Sequence, residues 1–125
     1  MDEQLSKRER QIMDVIYSLG AATATRVIEG LEDPPSRSAV RTFLTILEKR
    51  GHLRHTKAGK EYVYTPTRPR RSVGKGALRR VIDVFFSGSL EEAVAAHLLD
   101  PKTTLSQGEL QRLSLLIAQA KKKGR

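Results

Sequence analysis

The chain contains no cysteine and no tryptophan, and only three phenylalanines and three tyrosines among its 125 residues. Without thiols there is no disulfide framework, no thiolate metal site and no cysteine nucleophile. With so few rings, any core must be mainly aliphatic. No apolar run approaches the length of a membrane span, and the opening residues "MDEQLSKRER" lack the apolar stretch of a signal peptide, so the sequence reads as cytoplasmic, without membrane insertion. A Gly-rich phosphate loop is missing, and no nucleophile, base and orienting group stand at a workable spacing, which predicts a non-enzyme with no cofactor and no metal. His52 and His55 straddle a helix end and a strand instead of sharing a helical face. They read as structural or phosphate-adjacent groups, not zinc ligands.

Positive charge is what the chain has in excess. It carries 23 Lys and Arg against 14 Asp and Glu, a formal net charge of +9. Residues 37–71 hold ten basic side chains with only Glu48 and Glu61 as acids, whereas residues 1–36 hold four basic and seven acidic ones. A solubilising surface mixes its signs, but a local excess of this size is what the phosphates of a polyanion attract. Charge alone specifies no fold, so architecture has to identify the partner.

Ser6 followed by Glu9 is a capping-box pattern, and Ile12, Val15, Ile16 and Leu19 recur at helical spacing until Gly20 offers a left-handed stop. Thr23 can cap a second, shorter helix with Ala24, Val27, Ile28 and Leu31 on one face, ended by "EDPP". Ser36 can cap a third, which Gly51 closes. Wound as a helix, "SRSAVRTFLTILEKRG" puts Ala39, Val40, Phe43, Leu44, Ile46 and Leu47 on one half of the cylinder. Arg37, Ser38, Arg41, Thr42, Thr45, Glu48 and Lys49 fall on the other. Two β-prone runs, 53–56 and 62–65, then flank the turn "KAGK", and Pro66 keeps the second from extending. Three tightly connected helices and a hairpin make the order of a winged helix-turn-helix, with Lys57 and Lys60 at the wing tip and Arg54 on its flank. Tyr62 and Tyr64 are expected to pack the wing onto the helices.

"TRPRRSVGKG" is basic, Pro/Gly-containing and aperiodic, so it reads as a linker ending the first domain near Arg71. Residues 1–71 then form the DNA-binding domain with its linker, and residues 72–125 a second, three-helix domain. Its stripes are Leu78, Val81, Ile82, Phe85 and Phe86 in one helix, Leu90, Val94, His97 and Leu98 in the next, and Leu113 and Ile117 in the last. Ser89 with Glu92 and Ser106 with Glu109 supply caps. His97, on an apolar face, is expected to be partly buried. Helices this short cannot bury so many apolar side chains alone, which predicts that a second copy covers them. The fold class is therefore mainly α: an N-terminal winged helix-turn-helix with a small β-hairpin wing, plus a C-terminal helical dimerisation domain.

The ordered set "RERQIMDVIYSLGAATATRVIEGL", "SAVRTFLTILEKRGHL", "KEYVYTP", "FFSGSLEEAVAAHLL" and "LSQGELQRLSLLI" resembles the penicillinase-repressor (BlaI/MecI/CopY) family of bacterial transcriptional regulators across essentially the whole chain. That resemblance implies repression by a homodimer on a dyad-symmetric, palindromic operator in double-stranded DNA. It also implies a sensor-linked membrane metallopeptidase as the partner that relieves repression. Related repressors are cut at an Asn-Phe bond, and Ala96-His97 stands at that place here. The cysteines of the copper-responsive branch are missing.

In a helix-turn-helix the exposed N-terminal half of the recognition helix meets base edges in the major groove. Here those residues are Arg37, Ser38, Arg41 and Thr42, with Thr45 one turn further. Arg suits bidentate contact with guanine, and Thr suits thymine or phosphate. Arg41 and Thr42 match what related repressors carry, while Ser38-Ala39 replaces a pair that is often Thr-Thr. Thr23, Thr25 and Arg26 at the start of the second helix are expected to lie against phosphates. Arg54, Lys57 and Lys60 on the wing, and Arg68, Arg70 and Arg71 in the linker, are expected to join them. An RNA-binding or protein-docking winged helix is the alternative reading of the same architecture.

Overall fold

Local capping decides where the helices begin. The structure, a computed structural model describing residues 4–124, opens with α1 (Lys7–Leu19), where the Ser6 hydroxyl accepts from the Glu9 amide and the Glu9 carboxylate accepts from the Ser6 amide, the complete capping box. Thr23 caps α2 (Ala24–Gly30), and Ser36 caps α3 (Arg37–Lys49), each through a hydroxyl that accepts a backbone N–H three residues on. Such caps contribute about 1 kcal/mol each. Gly20 (φ 86°) and Gly51 (φ 87°) take the left-handed conformation just past α1 and α3, where a Cβ would be strained.

Burial in the first unit follows the predicted faces except at Leu19, which ends α1 exposed, and at Ile46 in α3. Ile12, Ile16, Val27, Val40, Leu44, Leu47 and Leu53 are essentially inaccessible to solvent and form one aliphatic core with Met13, Ala22, Leu31 and Tyr64. Phe43 packs at its edge, half-buried. Ile46, which periodicity groups with the core, is exposed instead. It lies about 120° round the helix from the middle of the Val40, Leu44 and Leu47 stripe, at the margin of what one face can bury. Close helix packing also uses Gly30, where a Cβ would come within 2.8 Å of Val15 Cγ1. Glu9 is buried to 7% exposure, and its charge is answered by the Arg50 guanidinium at 3.2 Å. Chiefly the Ser6 amide, then the Ser6 hydroxyl and Arg50, hold its carboxyl below the ordinary glutamate range against the opposing effect of burial.

The hairpin pairs β1 (Leu53–Ala58) with β2 (Glu61–Pro66) antiparallel, His55 opposite Tyr64 and Lys57 opposite Tyr62. Gly59 (φ 67°) and Lys60 form its two-residue turn; Gly at the first central position is the type II′ pattern that suits twisted strands. A bridge from Ala22 to Tyr64, with N–H···O bonds of 3.0 and 2.8 Å, ties the hairpin to the segment between α1 and α2. The Tyr64 ring is buried, as predicted, but Tyr62 is 44% exposed and stacks on His55 instead of on a helix.

The segment read as a linker is helical. α4 (Arg70–Phe85) runs without interruption across the expected boundary, through Gly74 and Gly76. Each glycine costs a helix about 1 kcal/mol relative to Ala, a deficit that lowers propensity without forbidding the helix. The chain divides into two compact units after Leu78. α5 (Leu90–Leu98) and α6 (Gln107–Lys123) follow, capped by Ser89 and Ser106 as their Ser-x-x-Glu patterns predict. Among the described residues of α4, α5 and α6 none is buried. Leu78, Val81, Phe85, Leu90, Val94, Leu98, Leu113 and Ile117 are all exposed, and Ile82 and Phe86 are half-buried. His97 is exposed as well, contrary to expectation, because the apolar stripe it belongs to is itself uncovered in the single chain.

Candidate nucleic-acid interface

The recognition-type helix is pinned from below and bare above. Val40, Leu44 and Leu47 hold α3 to the core, while Arg37, Ser38, Arg41, Thr42 and Thr45 are all exposed. Ser38, Arg41, Thr42, Thr45, Ile46 and Lys49 line one shallow groove along the helix. Lys49 and Ile46 were not among the residues predicted to face a ligand. The spacing of Ser38, Thr42, Thr45 and Lys49 does carry Lys49 along the same helical stripe, a signal in the sequence.

Hydrogen bonding fixes what each side chain can offer. The Thr42 hydroxyl donates to the Ser38 carbonyl at 3.1 Å, and the Thr45 hydroxyl to the Arg41 carbonyl at 3.0 Å. Both protons are spent on the backbone, so these threonines present methyl groups and acceptor lone pairs. Arg37 Nη1 donates to the Thr25 hydroxyl at 3.1 Å, joining the start of α3 to α2 and leaving the rest of its five-donor fork available. Thr23 is occupied as the α2 cap, its oxygen accepting from the Arg26 amide. Arg26 also faces Glu29 at 3.8 Å in an exposed pair, an arrangement that contributes little in water.

Strand alternation sorts the wing residues. His55, Lys57, Tyr62 and Tyr64 share one face of the hairpin by register, and Arg54 lies on the other. Lys57 is the fifth residue of β1 and Lys60 sits in the turn; both are exposed. His55 reaches back to α3, its Nδ1 2.8 Å from the Glu48 carboxylate. Burial first, then the Glu48 carboxylate and Tyr62, pushes the Tyr64 phenol up, with Arg41 opposing.

Arg68, Arg70 and Arg71 are all exposed, and Arg70 is also engaged within the protein. Its guanidinium donates to the Tyr17 carbonyl at 2.9 Å and the Ser18 carbonyl at 3.4 Å, satisfying the last turn of α1 with a cation where the helix dipole favours one. Neither this tie nor the Glu9–Arg50 pair has a local sequence signature, since the partners lie 53 and 41 residues apart. No described helix is long and apolar enough to cross a membrane.

The chain is similar to several known proteins. The penicillinase repressor of Bacillus licheniformis is 28% identical over 120 residues, covering 94% of this chain and 92% of that one. An uncharacterized 16.5 kDa protein from the ptsI 3' region of Latilactobacillus sakei is 28% identical over 118 residues, covering 91% of this chain and 78% of its own. The solution structure of the DNA-binding domain of the repressor BlaI matches with 33% identity and a TM-score of 0.48, covering 54% of this chain and 88% of that domain. Residues 5–119 match the family profile described as Penicillinase repressor. Over nearly its whole length, the chain belongs to the penicillinase repressor family of transcriptional regulators.

Proposed function

We propose that this DNA-binding transcriptional repressor acts as a homodimer on a dyad-symmetric operator. The observation that carries the reading is the polar stripe of α3, exposed from Arg37 to Lys49 on a helix whose opposite side is locked into the core. In this reading Arg41 and Arg37 address guanine edges, and the Thr42 and Thr45 methyl groups address thymine. Ser38 is small enough to let the helix approach closely. Thr23, Thr25, Arg26, Arg54, Lys57, Lys60, Arg68 and Arg71 contact phosphates, which position the protein without reading sequence. Arg70 acts from within, holding α1 to the start of α4.

Residues 72–125 serve as the dimerisation domain. Phe85 at 70% exposure and Ile117 at 68% would otherwise leave large apolar surfaces in water, and a two-fold partner buries the same stripes on both chains. The signal that relieves repression acts on this same unit. A cut by a sensor-linked membrane metallopeptidase in α5, where Ala96 and His97 are exposed, would sever α6 from the recognition unit and weaken the pair.

Selection of bound duplexes from a randomised library by the full chain, followed by sequencing, tests the reading. Enrichment of an inverted repeat is expected, with half-site centres one or more helical turns apart, about 34–36 Å per turn. Enrichment of isolated half-sites, or of no motif, would contradict it.

A further inference from the structure

α3 and the wing meet at a polar contact that none of the roles above uses. His55 Nδ1 lies 2.8 Å from both carboxylate oxygens of Glu48. An ionised carboxylate only accepts, so Nδ1 carries the proton and donates, whether the ring is neutral or charged. On its flat side the imidazole stacks on Tyr62, with ring centroids 4.1 Å apart and planes 17° from parallel. Tyr62 in turn sits directly opposite Lys57 in the ladder. The chain of contacts therefore runs from the recognition helix, through Glu48, His55 and Tyr62, to a lysine near the wing tip.

Glu48 is also out of place by charge. It is one of two acids among residues 37–71, on the helix that is to approach phosphates, where a carboxylate repels DNA. Its contact explains its presence. A two-stranded hairpin is marginal by itself in water. The Ala22–Tyr64 bridge and buried Leu53 secure its stem; Glu48 holds His55 on the same rung as Tyr64, and the His55 stack on Tyr62 carries that hold two rungs nearer the tip.

We propose that Glu48, His55 and Tyr62 are positioning residues that set the wing against the recognition helix, so that Lys57 and Lys60 reach the DNA backbone while Arg41 and Thr42 reach the bases. This rests on the wing being a backbone contact, as proposed above. The tether and that contact can be tested separately in the full chain, by ¹⁵N relaxation of wing amides 56–63 in the free protein and by the salt dependence of DNA affinity.

Glu48→Ala and His55→Ala are expected to loosen the wing amides and to flatten the slope of log affinity against log salt by about 1–2, at about 0.9 per lost phosphate contact. Glu48→Gln keeps an oxygen for Nδ1 to donate to, and retains both the wing order and the slope. In a Lys57→Ala/Lys60→Ala background, Glu48→Ala has no further effect on the slope. If Glu48 were only an acidic neighbour, Glu48→Ala and Glu48→Gln would both bind DNA more tightly with the full slope, and that result overturns the proposal. Wing amides as ordered in Glu48→Ala as in the wild type overturn it too. A Lys57→Ala/Lys60→Ala variant that keeps the full slope contradicts the wing's contact with DNA instead, whatever the amides report about the tether.

Discussion

Ile16 and Leu44 in the N-terminal unit are fully buried, while Phe85 and Ile117 in the C-terminal unit stay more than two-thirds exposed, although α5 and α6 are capped by Ser89 and Ser106 just as α1 and α3 are by Ser6 and Ser36. Caps and periodicity are local and make helices in both units. A core needs elements that surround one another, and among the described residues the first unit has them: three helices, a hairpin and the Ala22–Tyr64 bridge enclose its aliphatic side chains. The second unit makes helices whose apolar stripes stay largely exposed among the described residues, with Ile82 and Phe86 half-buried. One unit thus encloses its own core and presents a polar stripe, whereas the other is, in the proposed dimer, completed by association.

Four perturbations would break or sharpen that contrast. Leu44→Ala removes a side chain with no solvent exposure and should cost about 2–5 kcal/mol of unfolding free energy. In urea titrations of the full chain, that loss should be the same at every protein concentration. Phe85→Asp should instead act on association. It is expected to weaken the dimer by about 2–4 kcal/mol, the scale of an interface hot spot, while the first unit keeps its melting transition; sedimentation equilibrium beside thermal melts would separate the two effects.

Arg41→Ala should cost about 1–3 kcal/mol on the selected operator and narrow the gap between specific and random duplexes. Equal losses on both duplexes would remove its base-reading role. The smallest effect expected is on pH dependence. Because the folded Glu9 carboxyl titrates below the ordinary glutamate range, its stabilisation is complete above that range and is lost as pH falls through it to the depressed folded value. Glu9→Gln should flatten this acid-side decline, measured as unfolding free energy against pH, while leaving neutral-pH DNA binding unchanged.

What the sequence makes legible follows the range of the interactions involved. Ser6, Thr23, Ser36, Ser89 and Ser106 are readable as caps because each cap closes within three residues. The hairpin is readable from its Gly-containing turn and β-prone flanks. Ile46 is misplaced because the width of a buried face depends on the neighbours that cover it. The helix over 70–76 is missed because Pro and Gly signal a break, and the weak penalty of two glycines is overridden by the helix that continues beyond them. At the site, the stripe from Arg37 to Thr45 is legible from period alone. The ties that hold it in place, Arg37 to Thr25, Glu48 to His55 and Arg70 to the end of α1, become visible only when distant segments are brought together.

The central claim is that a second copy completes the C-terminal unit and thereby brings two recognition helices to one duplex. Sedimentation of the full chain with a duplex carrying one inverted repeat of its selected site tests this most directly. The account predicts a single complex holding two 14.0 kDa chains per duplex, formed from a dimer already present in free solution. Solitary chains in solution that load onto the two half-sites independently, with singly occupied duplex at intermediate ratios, would contradict it.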